Sequence, residues 1–96
     1  MGFFSSLFSK KNSAPEGKPI GEVTHYFGGI NVAIVRFAKT VAVGTKVRFK
    51  GATTDFSESI RSMQYDHQDI PEAKKGQEVG IKVEGKVREG DHVYEA

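Results

Sequence analysis

From residue 20 onward, apolar and polar residues alternate with a period of two, the pattern of strands that bury one face. Val79, Ile81 and Val83 illustrate it, because only a small or a charged residue stands between them. Helical periodicity of useful length is absent after residue 19, so the sequence predicts an all-β domain. The six predicted strands are residues 23–27, 30–37, 45–50, 56–65, 78–83 and 91–94.

Three interruptions of this alternation predict local features. Gly28-Gly29 lies between two predicted strands and predicts a tight hairpin turn of two residues. The alternation slips between Ile60 and Met63, which predicts a bulge or a bend in the strand. Gly80 occupies a strand centre, where a residue without a side chain predicts a bulge or a close backbone contact.

Residues 1–19 differ in composition from the rest of the chain. Residues 9–19 are polar and contain two prolines and a glycine, as linkers do. We therefore expect a flexible, disordered tail over residues 1–19 and a folded domain over residues 20–96. The start of the tail has two interpretations, a frayed terminus or a segment that docks on a membrane surface or a partner groove. The candidate docking residues are Phe3, Phe4, Leu7, Phe8, Lys10 and Lys11.

The charge distribution limits the kinds of partner. The chain has 96 residues and a formal net charge of +2. Three lysines and one glutamate give residues 1–19 a charge of +2, so residues 20–96 are neutral, with eleven basic and eleven acidic side chains. The predicted domain therefore has no general attraction for polyanions. Cysteine is absent, and no apolar run approaches the roughly 20 residues that span a bilayer. These features favour a cytoplasmic protein that reaches a membrane only peripherally, through its tail.

Catalytic or metal-binding motifs are not recognisable in the sequence. The histidines His25, His67 and His92 have no partner at a metal-ligand spacing, and no nucleophile motif surrounds the serines. The sequence therefore predicts a protein that is not an enzyme and has no metal or other cofactor.

A row of basic residues is the candidate binding surface. Lys46, Arg48 and Lys50 recur at two-residue spacing, so they line one face of one strand over roughly 13 Å. Arg36 and Lys39 extend the row if their strand is adjacent. Such a row can follow a phosphate backbone, which makes single-stranded RNA a candidate ligand, with Tyr26 or Tyr65 as stacking partner. The alternative is a solvated strand face whose charges discourage edge pairing.

Five short elements of the sequence occur together in one order. They are Pro19-Ile20-Gly21-Glu22-Val23, Val43-Gly44-Thr45-Lys46-Val47, Ile60-Arg61-Ser62-Met63-Gln64, Ala73-x-x-Gly76-x-x-Val79-Gly80-Ile81 and Gly90-Asp91-x-Val93-Tyr94. Over residues 19–96 the chain resembles the second domain of translational GTPases such as elongation factor Tu and initiation factor two, and stand-alone translation elongation factor-like proteins. The resemblance implies a small six-stranded Greek-key β-barrel. Thr45 departs from it, since the family commonly has Asp there. The phosphate-binding motif G-x-x-x-x-G-K-[ST] is missing, so GTP binding by this chain is not expected.

Three functional hypotheses follow. The resemblance implies a non-catalytic binding module that contacts RNA, a ribonucleoprotein or another translation partner. The tail favours a membrane-surface or protein–protein adaptor. The third hypothesis is a detached accessory domain that assists a separate enzyme.

Overall fold

The computed structural model describes residues 18–96, and in that range the chain consists of strands and connecting turns. The prediction of an all-β domain is confirmed. The strands are β1 (Gly21–Phe27), β2 (Val32–Phe37), β3 (Val41–Ala42), β4 (Lys46–Lys50), β5 (Asp55–Ser59), β6 (Met63–Tyr65), β7 (Gln68–Asp69), β8 (Glu72–Ala73), β9 (Glu78–Lys82) and β10 (His92–Glu95).

The count of six strands was wrong because irregular segments contribute short strands of their own. The predicted strand 56–65 is divided into β5 and β6 at residues 60–62, where the alternation slips, so the predicted break is confirmed. β7 and β8 lie in the connection before β9, and β3 lies between β2 and β4. Two-residue strands carry too few positions to show a period of two in the sequence.

Eight of the strands form one antiparallel sheet in the order β5-β4-β10-β1-β2-β9-β6-β7, and β3 pairs with β8 separately. No ladder joins the two outermost strands, β5 and β7, within residues 18–96. The sheet is therefore open, and the expectation of a closed barrel is corrected. Next to β5, the Glu84 backbone N–H donates to the Glu58 carboxylate at 3.0 Å.

One hydrophobic core lies under the sheet and supports it. Alternate residues of β2, β4 and β9 are buried, as the period of two predicts. Phe49 is fully buried, and its ring lies 5.2 Å from the ring of Phe56 on β5. The core side chains are Ile20, Val23, Ala33, Val35, Phe37, Val41, Val47, Phe49, Ile60, Met63, Ala73, Val79, Ile81, Val83, Val87 and Val93.

The first hairpin differs from its prediction. β1 ends at Phe27 and β2 begins at Val32, and these two residues are paired, so the loop has four residues rather than two. Asn31 takes the left-handed conformation at φ 56°, which asparagine tolerates better than most residues. The longer loop leaves Ile30 at the tip of the hairpin, outside the strand in which the sequence placed it.

The predicted tail lies largely outside the described residues. The candidate docking residues Phe3, Phe4, Leu7, Phe8, Lys10 and Lys11 all precede residue 18, and the boundary at residue 20 stays a prediction. In the part of the chain that the structure describes, no helix could span a membrane.

Candidate docking groove

A shallow groove of about 330 Å³ lies beside β2 and β9. Along β2, Ala33 and Val35 are buried in the core, whereas Val32 and Ile34 are only half-buried and line the groove. Ile34 is paired with Gly80 of β9, and Gly80 is paired in turn with Gln64 of β6. Across the groove, Gly80 therefore has the apolar side chains of β2, Val32 and Ile34, on one side and the polar Gln64 of β6 on the other.

Two hairpin tips complete the groove, and they carry large apolar side chains. Among the described residues four large hydrophobic side chains are exposed, and three of them line this groove. Phe27 and Ile30 come from the first hairpin and are 51% and 60% exposed, and Tyr65 precedes the β6–β7 turn and is 44% exposed. A cluster of exposed apolar side chains is typical of a surface that binds another polypeptide.

The turns that border the groove have unusual backbone conformations. Tyr65 and Gln68 are paired, and Asp66 and His67 between them both have positive φ, 55° and 64°. This is the arrangement of a two-residue type I′ turn, which usually contains Asn-Gly. The left-handed conformation costs conformational free energy in residues other than glycine, and such strain is concentrated at functional sites.

Gly80 keeps the groove open without being required by the backbone. A Cβ atom there would lie 3.4 Å from Val32 Cγ1 and 3.6 Å from Ile34 Cδ1, which are ordinary contacts. Gly80 pairs regularly with both neighbours, and the nearest backbone atom to a Cβ there, Gln64 O, would be 3.9 Å away, so the prediction of a bulge or a close backbone contact is wrong. The register shift lies instead in β1, between Val23 and His25. A larger side chain at Gly80 would extend into the groove.

The charged residues that line the groove are acidic. Asp66 and Glu78 are among its lining residues, and within the described part of the chain no lysine or arginine is. Arg36 lies beside one end, with Nη1 3.8 Å from Glu78 Oε2 and Nη2 3.3 Å from Glu22 Oε1. The groove thus combines an apolar surface with carboxylates, which suits an apolar segment that carries basic residues.

The predicted basic row is present on β4, but carboxylates accompany much of it. Arg48 donates two hydrogen bonds to Asp55, and Lys39 lies 3.1 Å from Glu95 of β10. Lys39 therefore lies near the strand next to β4, whereas Arg36 is on β2, three strands from β4. Glu95 is paired with Val47, whose side chain faces the core, so the structure does not place Lys39 on the face of the row, and it leaves Arg36 apart as well. The members of the row are Lys46, Arg48 and Lys50.

The histidines do not form a site with one another. His25 Nδ1 lies 3.1 Å from Glu89 Oε2 at the surface, and His92 lies near Tyr94. His67 belongs to the turn beside the groove. Among residues 18–96, no three His, Cys, Asp or Glu side chains are grouped so that they could hold a metal ion.

Sequence reasoning missed the groove because its residues are distant in the chain. The signals were present but local: an isoleucine directly after Gly28-Gly29, a tyrosine at a strand end, and a glycine at a strand centre. Only the pairing of β2 with β9 and of β9 with β6 brings them together.

Comparisons with known proteins connect the chain to peptidases. No family model matches the sequence. An uncharacterised protease of Methanocaldococcus jannaschii is 38% identical over 76 residues, which are 78% of this chain and 19% of that protein. The chain thus spans about one fifth of the length of this curated relative.

Two solved structures have the same fold. Both are of the C-terminal domain of a Geobacillus thermoleovorans protein described as a U32 peptidase, one of them in its selenomethionine form. The selenomethionine structure has a TM-score of 0.77 at 21% identity and covers 82% of this chain and 100% of its own. The other also has a TM-score of 0.77, at 18% identity, and covers 88% of this chain and 97% of its own.

These relatives correct the interpretation drawn from the five sequence elements. The resemblance to the second domain of translational GTPases, and the translation-related role inferred from it, were wrong, because both the sequence relative and the structural neighbours carry peptidase names. Three glycines of these elements, Gly44, Gly76 and Gly90, have positive φ values in turns, so they report a requirement of the backbone that is not specific to one family. The likeness that the comparisons support is to a domain found at the C-terminus of a U32 peptidase.

Proposed function

We propose that this chain is a non-catalytic accessory module that works together with a separate peptidase of the U32 type. The observation that carries the proposal is the extent of the match. Most of this chain aligns with only about one fifth of an archaeal protease, and its fold is that of an isolated C-terminal domain. The chain therefore corresponds to a part of such an enzyme and not to the whole.

The surface chemistry of the described residues also favours a binding role. Catalysis of peptide hydrolysis needs an activated nucleophile, either a side chain or a water held by a metal or by a coupled carboxylate pair, with donors held around the reacting carbonyl. The polar groups beside the groove are instead exposed carboxylates, a histidine in a surface turn and an amide. Side chains of this kind orient and anchor a bound segment.

We assign the contact with the peptidase to the groove. An accessory domain that contacts a peptidase as a separate chain needs a surface that binds it. Phe27, Ile30 and Tyr65 supply exposed apolar and aromatic area, which is enriched at interface centres. Gly80 leaves room for side chains of the partner.

Calorimetric titration of the purified chain into a U32-type peptidase of the same organism tests the proposal. We expect saturable binding with a dissociation constant of roughly micromolar, the range of transient interfaces. Absence of binding at about a hundred times that concentration would remove the accessory role.

A matched pair of variants tests the assignment of the surface. Gly80→Val fills the groove, and Ser57→Val introduces the same side chain on an exposed position of β5, at the other end of the sheet. We expect Gly80→Val to weaken binding about tenfold or more, and Ser57→Val to leave it unchanged. Equal affinity of both variants would place the contact elsewhere on the domain.

A further inference from the structure

We propose that, in the free protein, the apolar segment formed by residues 3–11 of this same chain occupies the docking groove. A peptidase must then displace it, which makes the segment an internal competitor for the site. The inference goes beyond the proposed function, since docking of the segment is measurable in the isolated protein.

The described chain begins at the acidic end of the groove. Pro19 lines the same surface depression as Arg36, and the Arg36 guanidinium lies 3.8 Å from the carboxylate of Glu78. Glu78 is itself a groove residue. The first described residues therefore lie close to this end of the groove.

The length of the connecting segment is sufficient. From Arg36, beside Glu78, to Val32, beside Lys82, the groove follows four residue steps of β2, which is about 13 Å. Residues 12–18 alone reach about 23–25 Å when extended. The segment can therefore lie along the groove without stretching its connection.

The order of residues in the segment matches the order of groups in the groove. Counted backward along the chain from Lys18, the basic pair Lys10 and Lys11 comes before the apolar residues. The end of the groove that is nearer to Lys18 carries the carboxylates Asp66 and Glu78. The apolar residues at positions 3, 4, 7 and 8 follow, and they would meet the apolar part of the groove. That part is formed by Phe27, Ile30, Val32 and Ile34, whereas Tyr65, next to Asp66, lies toward the acidic end.

Covalent connection makes this occupant more effective than a free peptide of the same sequence. A short flexible linker gives an effective concentration of roughly millimolar. A segment of about millimolar intrinsic affinity then fills the groove in about half of the molecules. A stronger peptidase contact could still displace it, as the competition requires.

A paramagnetic label tests the docking directly. The sequence has no cysteine, so Ser6→Cys in the full chain provides a unique site for a nitroxide. We expect amide NMR signals of Ile34, Tyr65 and Gly80 to lose about half of their intensity or more, in keeping with half-occupancy. Signals of Ser57, on a distant strand, should keep theirs. Unchanged intensities, or a uniform loss over the whole domain, would overturn the proposal.

Variants in the labelled full chain identify the contacts. Gly80→Val should restore the groove signals, and so should the double change Leu7→Ser and Phe8→Ser in the segment, whereas Ser57→Val should not. The segment variant leaves all described residues intact, so it keeps the test valid if Gly80→Val fails to fold. Signals that stay reduced in both groove-directed variants would overturn the assignment.

Mixing separates docking within one chain from two other arrangements. Isotope-labelled protein without nitroxide is combined with nitroxide-labelled protein without isotope. Loss of groove signals in this mixture would mean that a second copy supplies the segment, and it would overturn the proposal. The proposal would also be overturned if the chain that carries both labels kept its groove signals and cosedimented with phosphatidylglycerol vesicles. The segment would then bind membranes instead.

Discussion

Arg48 and Asp55 form a two-point ion pair across strands β4 and β5, with Nε 2.8 Å from Oδ1 and Nη2 2.9 Å from Oδ2. The two residues are diagonal rather than directly opposite, since Asp55 is paired with Lys50 and Arg48 with Ser57. The planar guanidinium matches the carboxylate with two parallel hydrogen bonds. The centre of the predicted basic row is thus held by an acidic neighbour on the edge strand.

This pair predicts a specific loss of stability in acid. The hydrogen bonds from Arg48 lower the pKa of Asp55 from its ordinary value of 3.8, and the charges of Arg48 and Lys50 contribute in the same direction. Because the folded-state pKa is depressed, the stabilisation is present above the ordinary value and is lost as the pH falls through the folded value.

Urea unfolding of the protein and of Asp55→Asn at a series of pH values measures this effect. At neutral pH the unchanged protein should be the more stable, and the difference should shrink as the pH falls from about 4 to about 2. Arg48→Gln should show the same convergence. A difference that is constant with pH would mean that the pair does not contribute through its charge.

Gly51 should be sensitive even to alanine. The position of its missing Cβ is taken by the carboxylate of Asp91, which is 5% exposed and accepts a hydrogen bond from the Arg88 backbone N–H at 2.8 Å. Gly51→Ala must displace this buried carboxylate, and we expect it to lower the free energy of unfolding by about 1–3 kcal/mol. Gly29→Ala is the control, since a Cβ there meets nothing within 4 Å. Equal unfolding midpoints for the two variants would contradict the prediction.

His67→Gly should stabilise the domain. His67 has φ 64° in the β6–β7 turn, a conformation that costs a residue other than glycine about 1–2 kcal/mol. Glycine removes that cost but adds about 0.5–1 kcal/mol of backbone entropy, so the free energy of unfolding should rise by about 0.5–1 kcal/mol. His67→Val should be destabilising, because a β-branched residue tolerates positive φ poorly. Destabilisation by His67→Gly in thermal unfolding would show that the imidazole itself makes a stabilising contact.

Phe49 should be the most costly of these positions to truncate. It is fully buried between β10 and β5 and packs on Phe56. Phe49→Ala should lower the free energy of unfolding by about 3–5 kcal/mol, a large part of the roughly 4–12 kcal/mol expected for a domain of this size. Phe49→Leu keeps most of the volume and should cost less than about 1.5 kcal/mol. Similar urea midpoints for both variants would show that the core closes around the truncated side chain.

Strand identity was predictable where one face is buried and the other is solvated. The predicted strand at residues 45–50 coincides almost completely with β4, because Val47 and Phe49 face the core and their neighbours do not. The order of strands in the sheet was not predictable in the same way. It depends on contacts between distant segments, such as β1 with β10, that local periodicity does not encode.

The docking groove was less predictable than the fold for a related physical reason. Its apolar side chains lie in strand ends and turns, where an isolated Ile30 or Tyr65 is not distinguishable from a side chain that packs inward. The cations of the basic row were predictable, but the carboxylates that pair with them come from other parts of the chain. A row of charges in a sequence therefore does not establish a charged surface.

The pairing of β1 with β10 places the two ends of the folded region side by side, with the Ile20 backbone N–H donating to the Val93 carbonyl at 2.7 Å. A domain whose first and last strands are neighbours can be inserted into a surface loop of a host protein without separating the two halves of that loop. It also tolerates circular permutation, in which a short linker joins the old ends and new ends are opened at an exposed turn such as Gly28–Gly29. The fold is thus suited to transfer between chains as a unit, either appended to a larger protein or produced on its own.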